Sequence, residues 1–232
     1  MKSIRAVFFD AGGTLIHIDA PFILQVLAAH GLERDAVAFR HADIAARRAV
    51  SEHLRAGAHV DDRGRWQIWA GRVLAELGCD AATAESVRAA VRVHAGDGRL
   101  WSRTLDGTAA MLAGLRAAGL VVGVVSNSDG RVASFLARAG LAAHLDFVVD
   151  SGTVGVEKPD PRIFAIACAR AGVPPDAAIH VGDVYEIDVL GARAAGITPV
   201  LVDPDDLVPD ADCARIRDVA ALPAWLSTPR AA

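Results

Sequence analysis

Six side chains in this 232-residue chain, of types that handle phosphate groups or hard cations, stand out by where they fall: Asp10, Ser126, Asn127, Lys158, Asp183 and Asp188. Asp10 closes the apolar run "IRAVFF" and precedes the turn "AGGT"; Ser126 and Asn127 follow "LVVGVV", and Asp183 follows "AIHVG". Asp188 comes one turn later, and Lys158 stands just before the prolines of "EKPDPRIF". Carboxylates gathered in one crevice repel and raise one another's pKa unless a cation is present. Oxygen donors with few histidines nearby make Mg²⁺ the natural cation. A lysine, a hydroxyl and the backbone amides of glycine-rich turns suit a phosphoryl group. A carboxylate aimed at phosphorus adds the option of covalent catalysis through an acyl phosphate.

For these residues to meet, the apolar runs before them must lie side by side. "IRAVFF", "LVVGVVS", "FVVD", "AIHVGD" and "TPVLVD" are near-continuous apolar stretches, the pattern of strands buried on both faces of a parallel sheet. Helix-like segments such as "GTAAMLAGLRAAG" and "PRIFAIACARAG" alternate with them, each closed by a glycine suited to the left-handed position after a helix. The expected fold is α/β, a doubly wound parallel sheet with Asp10, Ser126, Asn127 and Asp183 at the carboxyl ends of its strands. Between Pro21 and about Arg99 the alternation stops, and four segments show helical spacing alone. The expected organisation is an α/β core over residues 1–19 and 100–232 and an inserted helical cap over 20–99, placed to act as a lid.

Composition narrows the classes. At 53% hydrophobic and 22% charged the chain buries one substantial core and a smaller second one. A net charge of −4, with Lys and Arg scattered among Asp and Glu, excludes a continuous basic surface for nucleic acid. No apolar run spans a bilayer, and Cys79, Cys168 and Cys213 form no CxxC pair, so a cytoplasmic protein without membrane or structural zinc is expected.

The ordered set "FFDAGGTL", "VVSN", "EKPDPRIF" and "GDVYEID" resembles the motifs of the haloacid dehalogenase superfamily, in particular its phosphatases with a helical cap after the first strand. The resemblance spans nearly the whole chain. It implies a Rossmann-like core in which Asp10 is the nucleophile and Asp10, the backbone carbonyl of Gly12 and Asp183 hold Mg²⁺. Asp188 is implied to support the site from behind or as an additional ligand. Thr14, Ser126, the Asn127 backbone and Lys158 are implied as phosphate contacts, and a small phosphorylated molecule as the substrate.

One position departs from the pattern. Most phosphatases of this family carry a second aspartate two residues after the nucleophile, which protonates the leaving group and then activates water; here the residue is Gly12. General acid–base help of this kind is worth about 10²- to 10⁴-fold in rate. Alkyl phosphates should suffer most from its absence, and acyl or aryl phosphates least. His17, Asp19 or the cap residues His41, Asp43, Arg47 and Arg48 are candidates to replace it. Carbon–phosphorus-cleaving relatives use a cap lysine, and this chain has none between Lys2 and Lys158. Metal-free dehalogenating relatives lack the acidic pair represented here by Asp183 and Asp188.

The expected function is therefore Mg²⁺-dependent hydrolysis of a small phosphorylated metabolite through an aspartyl phosphate, by a monomer or homodimer. Two rivals stand beside it: a catalytically weak module binding a phosphometabolite or a partner, and a phosphotransferase. Blander roles exist for each residue alone, since acids and hydroxyls at strand ends also cap helices. Trp66 and Trp69, three apart on one helical face, are expected to pack in the cap core. The segment "VDPDDLVPDAD" is expected to be a surface connection, because it lacks the spacing of a calcium loop.

Overall fold

A computed structural model describes residues 3–57, 60–96 and 98–228. The chain opens with β1 (Ala6–Phe9) and β2 (His17–Ile18), continues through helices α1 (Ala20–Ala29), α2 (Ala36–Arg55), α3 (Asp62–Glu76) and α4 (Ala81–Gly96), and reaches β3 (Trp101–Arg103). The alternation then begins: α5 (Thr108–Ala117), β4 (Val121–Ser126), α6 (Val132–Arg138), β5 (Phe147–Asp150), α7 (Ser151–Val154), α8 (Pro161–Ala171) and β6 (Ala178–Gly182). A turn of π-helix, Tyr185–Val189, leads into α9 (Leu190–Ala194), followed by β7 (Thr198–Val202), β8 (Ala214–Ile216) and α10 (Leu222–Ser227). Two compact units result, Met1–His17 with Ser102–Ala232 and Ile18–Trp101.

The first unit is the doubly wound α/β fold. Its six strands lie in the order β5-β4-β1-β6-β7-β8, every neighbouring pair parallel. β1 sits in the middle, with Phe9 opposite Val124 on one side and Val181 on the other. Burial explains the apolar runs: Ala6 to Phe9 and Ala178 to Val181 are inaccessible to solvent. Fully burying a side chain the size of Val or Phe contributes about 1.5–3 kcal/mol, so these strands, packed on helix residues such as Ile163 and Phe164, anchor the unit. Gly123 in the middle of β4 makes room for the Phe147 ring, which a Cβ there would strike.

The sheet also holds an element outside the expected set. The acidic segment runs as a connection only as far as Cys213, after which Ala214–Ile216 adds β8 as an edge strand on β7. Within the connection Asp203 accepts the N–H groups of Leu207 and Val208 and pairs with Arg215, which accounts for part of its acidity structurally.

The second unit is helical. A core of Ile23, Leu27, Phe39, Ala42, Ala46, Val73, Leu74 and Leu77 draws on α1, α2 and α3, with Trp69 packed against it. Trp66 stacks on Trp69 at 5.0 Å between ring centroids and lies 6.1 Å from Trp101. No described helix is long and apolar enough to cross a membrane.

Candidate active site

Asp10 follows β1 directly, and its N–H still donates to Val181 O at 2.8 Å, so the ladder with β6 carries the side chain just past the sheet edge. The chain then turns tightly on Ala11, whose carbonyl accepts the N–H groups of Thr14, Leu15 and Ile16 at 3.3, 2.9 and 2.9 Å. Gly13 has φ +77°, and a Cβ there would fall on the Asp183 carboxylate. Glycine thus meets two demands at once, a left-handed backbone and close approach of an acid. Thr14 is 1% exposed and its Oγ1 has no hydrogen-bond partner. A buried hydroxyl without a partner is costly to leave unsatisfied and is suited to a ligand oxygen.

Lys158, also 1% exposed, lies between two carboxylates: its Nζ is 2.8 Å from Asp10 Oδ1 and donates to Asp188 Oδ1 at 2.7 Å. Its backbone is fixed by Asn127, which accepts the Lys158 N–H on Oδ1 at 2.7 Å and donates from Nδ2 to Lys158 O at 2.9 Å. The Asn127 side chain is therefore committed to the Lys158 peptide. Ser126, at the end of β4, is buried.

Asp188 stands on the π-helical turn after β6, the kind of local widening often found where a side chain must be aimed. One carboxylate oxygen faces Lys158 and His180 Nε2, the latter at 2.9 Å, and the other accepts Val184 N–H at 3.0 Å. Gly182 permits this approach, since a Cβ there would overlap the Asp188 side chain. Ligand oxygens of Asp10, Asp183 and Asp188 lie within 4.8 Å of one another.

The electrostatics follow from that crowding. Burial pushes the Asp10 carboxyl up, with Lys158 opposing and Asp188 adding to the rise. At Asp188 burial is overcome by the charge of Lys158 and by His180, and the carboxyl is held below its usual range. Burial alone would lower Lys158, but the charges of Asp10 and Asp188 hold it above its ordinary value. Three carboxylates with one lysine paired to two of them leave negative charge that a divalent cation would balance, and the all-oxygen donors fit a hard ion such as Mg²⁺.

The sequence-predicted residues Asp10, Lys158, Asp183 and Asp188 thus meet in one cluster, with Asn127 attached through the Lys158 backbone. Among the candidates to replace an acid at Gly12, Asp19 and Asp43 have partners inside the helical unit. Asp19 accepts the Phe22 N–H at the start of α1 and faces His94 Nε2 at 3.2 Å. Asp43 accepts from Trp69 Nε1 at 2.8 Å and Arg47 Nε at 3.0 Å, while His41 and Arg48 are exposed on α2. Sequence reasoning missed His180, an inaccessible histidine inside β6; a polar residue within an otherwise apolar strand was the available signal.

Residues 4–196 match the haloacid dehalogenase-like hydrolase family. The chain belongs to it. Haloacid dehalogenase-like hydrolase domain-containing protein 3 of Bos taurus is 33% identical over 214 residues, covering 89% of this chain and 85% of that one. A phosphoserine phosphatase of Thermus thermophilus is 41% identical over 117 residues, 47% of each chain. Among solved structures, the putative hydrolase YfnB from Bacillus subtilis, described as bound to magnesium, superposes with a TM-score of 0.71 at 17% identity, covering 98% of this chain and all of that one. In this haloacid dehalogenase-like hydrolase, the family match runs from before β1 to the end of α9, so it includes every residue of the Asp10–Lys158–Asp188 cluster.

Proposed function

We propose that this hydrolase is a Mg²⁺-dependent phosphatase of small phosphorylated molecules, with Asp10 as nucleophile. The observation that carries the reading is the buried Lys158 ammonium between Asp10 and Asp188, with Asp183 beside them. Asp10, Asp183 and the Gly12 carbonyl would hold the cation, whose contribution is to neutralise charge on the phosphoryl oxygens. Asp188 has both oxygens engaged by Lys158, His180 and Val184, which favours a supporting role over direct ligation.

In the first step the Asp10 carboxylate bonds to phosphorus, and the bond to the leaving oxygen breaks with its electron pair remaining on that oxygen. Lys158 stabilises the charge that gathers on the transferring group, and Thr14 Oγ1 and Ser126 orient its oxygens. Water then attacks phosphorus and frees the Asp10 carboxylate and inorganic phosphate. With no side chain on Gly12 to donate a proton, the reading narrows to leaving groups stable as anions, acyl and aryl phosphates, with slow return of the aspartyl phosphate to free enzyme. That slow return also supports the second reading, phosphoryl transfer to an alcohol acceptor.

Phosphate release from a panel of acyl, aryl and alkyl phosphates, with and without Mg²⁺, tests the proposal. The expected result is Mg²⁺-dependent release that Asp10→Asn lowers by at least about 10³-fold. Release that survives Asp10→Asn, or that ignores Mg²⁺, would sink it.

A further inference from the structure

The turn that closes β5 reaches into the loop after β4, and it does so with a buried charge. Asp150, in register with Ser126 and 6% exposed, accepts three backbone N–H groups: Gly130 and Gly152 on Oδ1, both at 3.0 Å, and Val132 on Oδ2 at 3.1 Å. No lysine or arginine pairs with it among the described residues. Burying a carboxylate on amide donors alone is expensive, whereas one neutral acceptor would cap a helix start. What the carboxylate adds is a bridge, because its two oxygens tie α6 and the β5 turn to the same loop.

Ser151 completes the grip. Its Oγ accepts the Ser128 N–H and donates to Ser128 O, both at 3.0 Å, so the amide and carbonyl of one residue are held by one hydroxyl. Gly152 N–H donates to the same Ser128 carbonyl at 3.0 Å. A Cβ on Gly152 would lie 2.7 Å from Gly130 N and 2.8 Å from Ser128 O, so only glycine lets the two backbones touch. Immediately before Ser128 is Asn127, whose side chain clamps the Lys158 peptide. A continuous path of bonds therefore runs from Asp150 and Ser151 through Ser128 and Asn127 to Lys158 and Asp10.

We infer that the Asp150–Ser151–Gly152 turn is a positioning brace that sets the phosphate grip of the Ser126–Asn127 loop. The inference rests on the phosphate-binding reading given above. The brace touches no substrate; it fixes the loop whose hydroxyl and amides would meet the phosphoryl oxygens. Small displacements of such groups weaken binding even where the fold is intact.

The test measures inorganic phosphate binding to the full-length protein in Mg²⁺ by calorimetry, beside kcat and KM for an aryl phosphate. Ser151→Ala is expected to raise both the phosphate dissociation constant and KM by about tenfold, with a smaller change in kcat. Ser151→Thr, which keeps the hydroxyl, should restore both, and Asp150→Asn should act in the same direction as Ser151→Ala. Should Asp150→Asn not fold, the Ser151 pair decides alone. Unchanged phosphate affinity in folded Ser151→Ala overturns the brace, as does failure of the wild type to bind phosphate. Phosphate binding without hydrolysis of any ester would instead overturn the phosphatase reading while leaving the brace to be judged on affinity.

Discussion

Two sets of aspartates, one in each unit, do opposite work. In the helical unit Asp19, Asp35, Asp61 and Asp80 each accept the N–H three residues ahead, at 3.4, 2.8, 2.8 and 2.8 Å, and so start α1 to α4. Each has its helix-start partner three residues away, and among the described residues Asp19 alone of the four also faces a distant side chain, His94. In the sheet unit Asp10 from the end of β1 and Asp183 and Asp188 from the segment after β6, far along the chain, crowd within 4.8 Å of one another, with Lys158 paired to Asp10 and Asp188. Nothing local demands that arrangement, and like-charge repulsion opposes it. An acid serving a helix start is interchangeable with Ser or Asn, whereas a crowded set of acids needs compensating positive charge, supplied here by Lys158 and, on the proposed reading, by a cation as well.

The contrast can be broken first at Lys158. Lys158→Met leaves the buried Asp188 and the partly buried Asp10 without their shared cation, and denaturant unfolding without divalent ions is expected to show a loss of about 3–5 kcal/mol. A loss below about 1 kcal/mol, the range of exposed ion pairs, would put the cluster on a par with the helical unit's surface charges.

Gly12 sharpens the comparison on the catalytic side. Unlike Gly13 it does not have a positive φ, so a side chain meets no left-handed strain there. Gly12→Asp is expected to raise turnover of alkyl phosphates by about 10²-fold or more, with little effect on aryl phosphates. An equal gain on both classes would show that protonation of the leaving group is not what the native site lacks.

The smallest effect belongs to the helical unit. Asp35→Ala removes the acceptor for Ala38 N–H at the start of α2. It should lower stability by about 1 kcal/mol and leave kcat/KM for an aryl phosphate unchanged. A large fall in kcat/KM at unchanged stability would mean that an acid in the helical unit serves the reaction after all.

The strand ends were legible because both faces of the sheet are covered, which makes β1, β4 and β6 read as apolar runs that stop at Asp10, Asn127 and Asp183. The four helices of the inserted unit were legible from their 3.6-residue spacing. The ribbon of β2 with β3 was not, since strands of two and three residues are too short to show a period. β8 stayed hidden behind an acidic connection for the same reason. In the site, residue types announced Asp10, Lys158, Asp183 and Asp188, but not how they are held. The clamp of Asn127 on Lys158 joins residues 31 apart, and the His180–Asp188 contact depends on a π-helical turn that no spacing rule reveals. Asp150 read only as the end of the strand run "FVVD", and nothing in the sequence singled out Ser151; their bonds to Gly130, Val132 and Ser128 distinguish them.

The central claim is that Asp10 takes the phosphoryl group. Acid-quenching the enzyme during turnover of p-nitrophenyl phosphate in Mg²⁺, followed by peptide mass spectrometry, reads this directly. The account predicts one phosphoryl group on Asp10, accumulating because Gly12 offers no acid to speed its hydrolysis, and none in Asp10→Asn. Phosphate release at the wild-type rate by Asp10→Asn, or a phosphoryl group carried on a different residue, would contradict it.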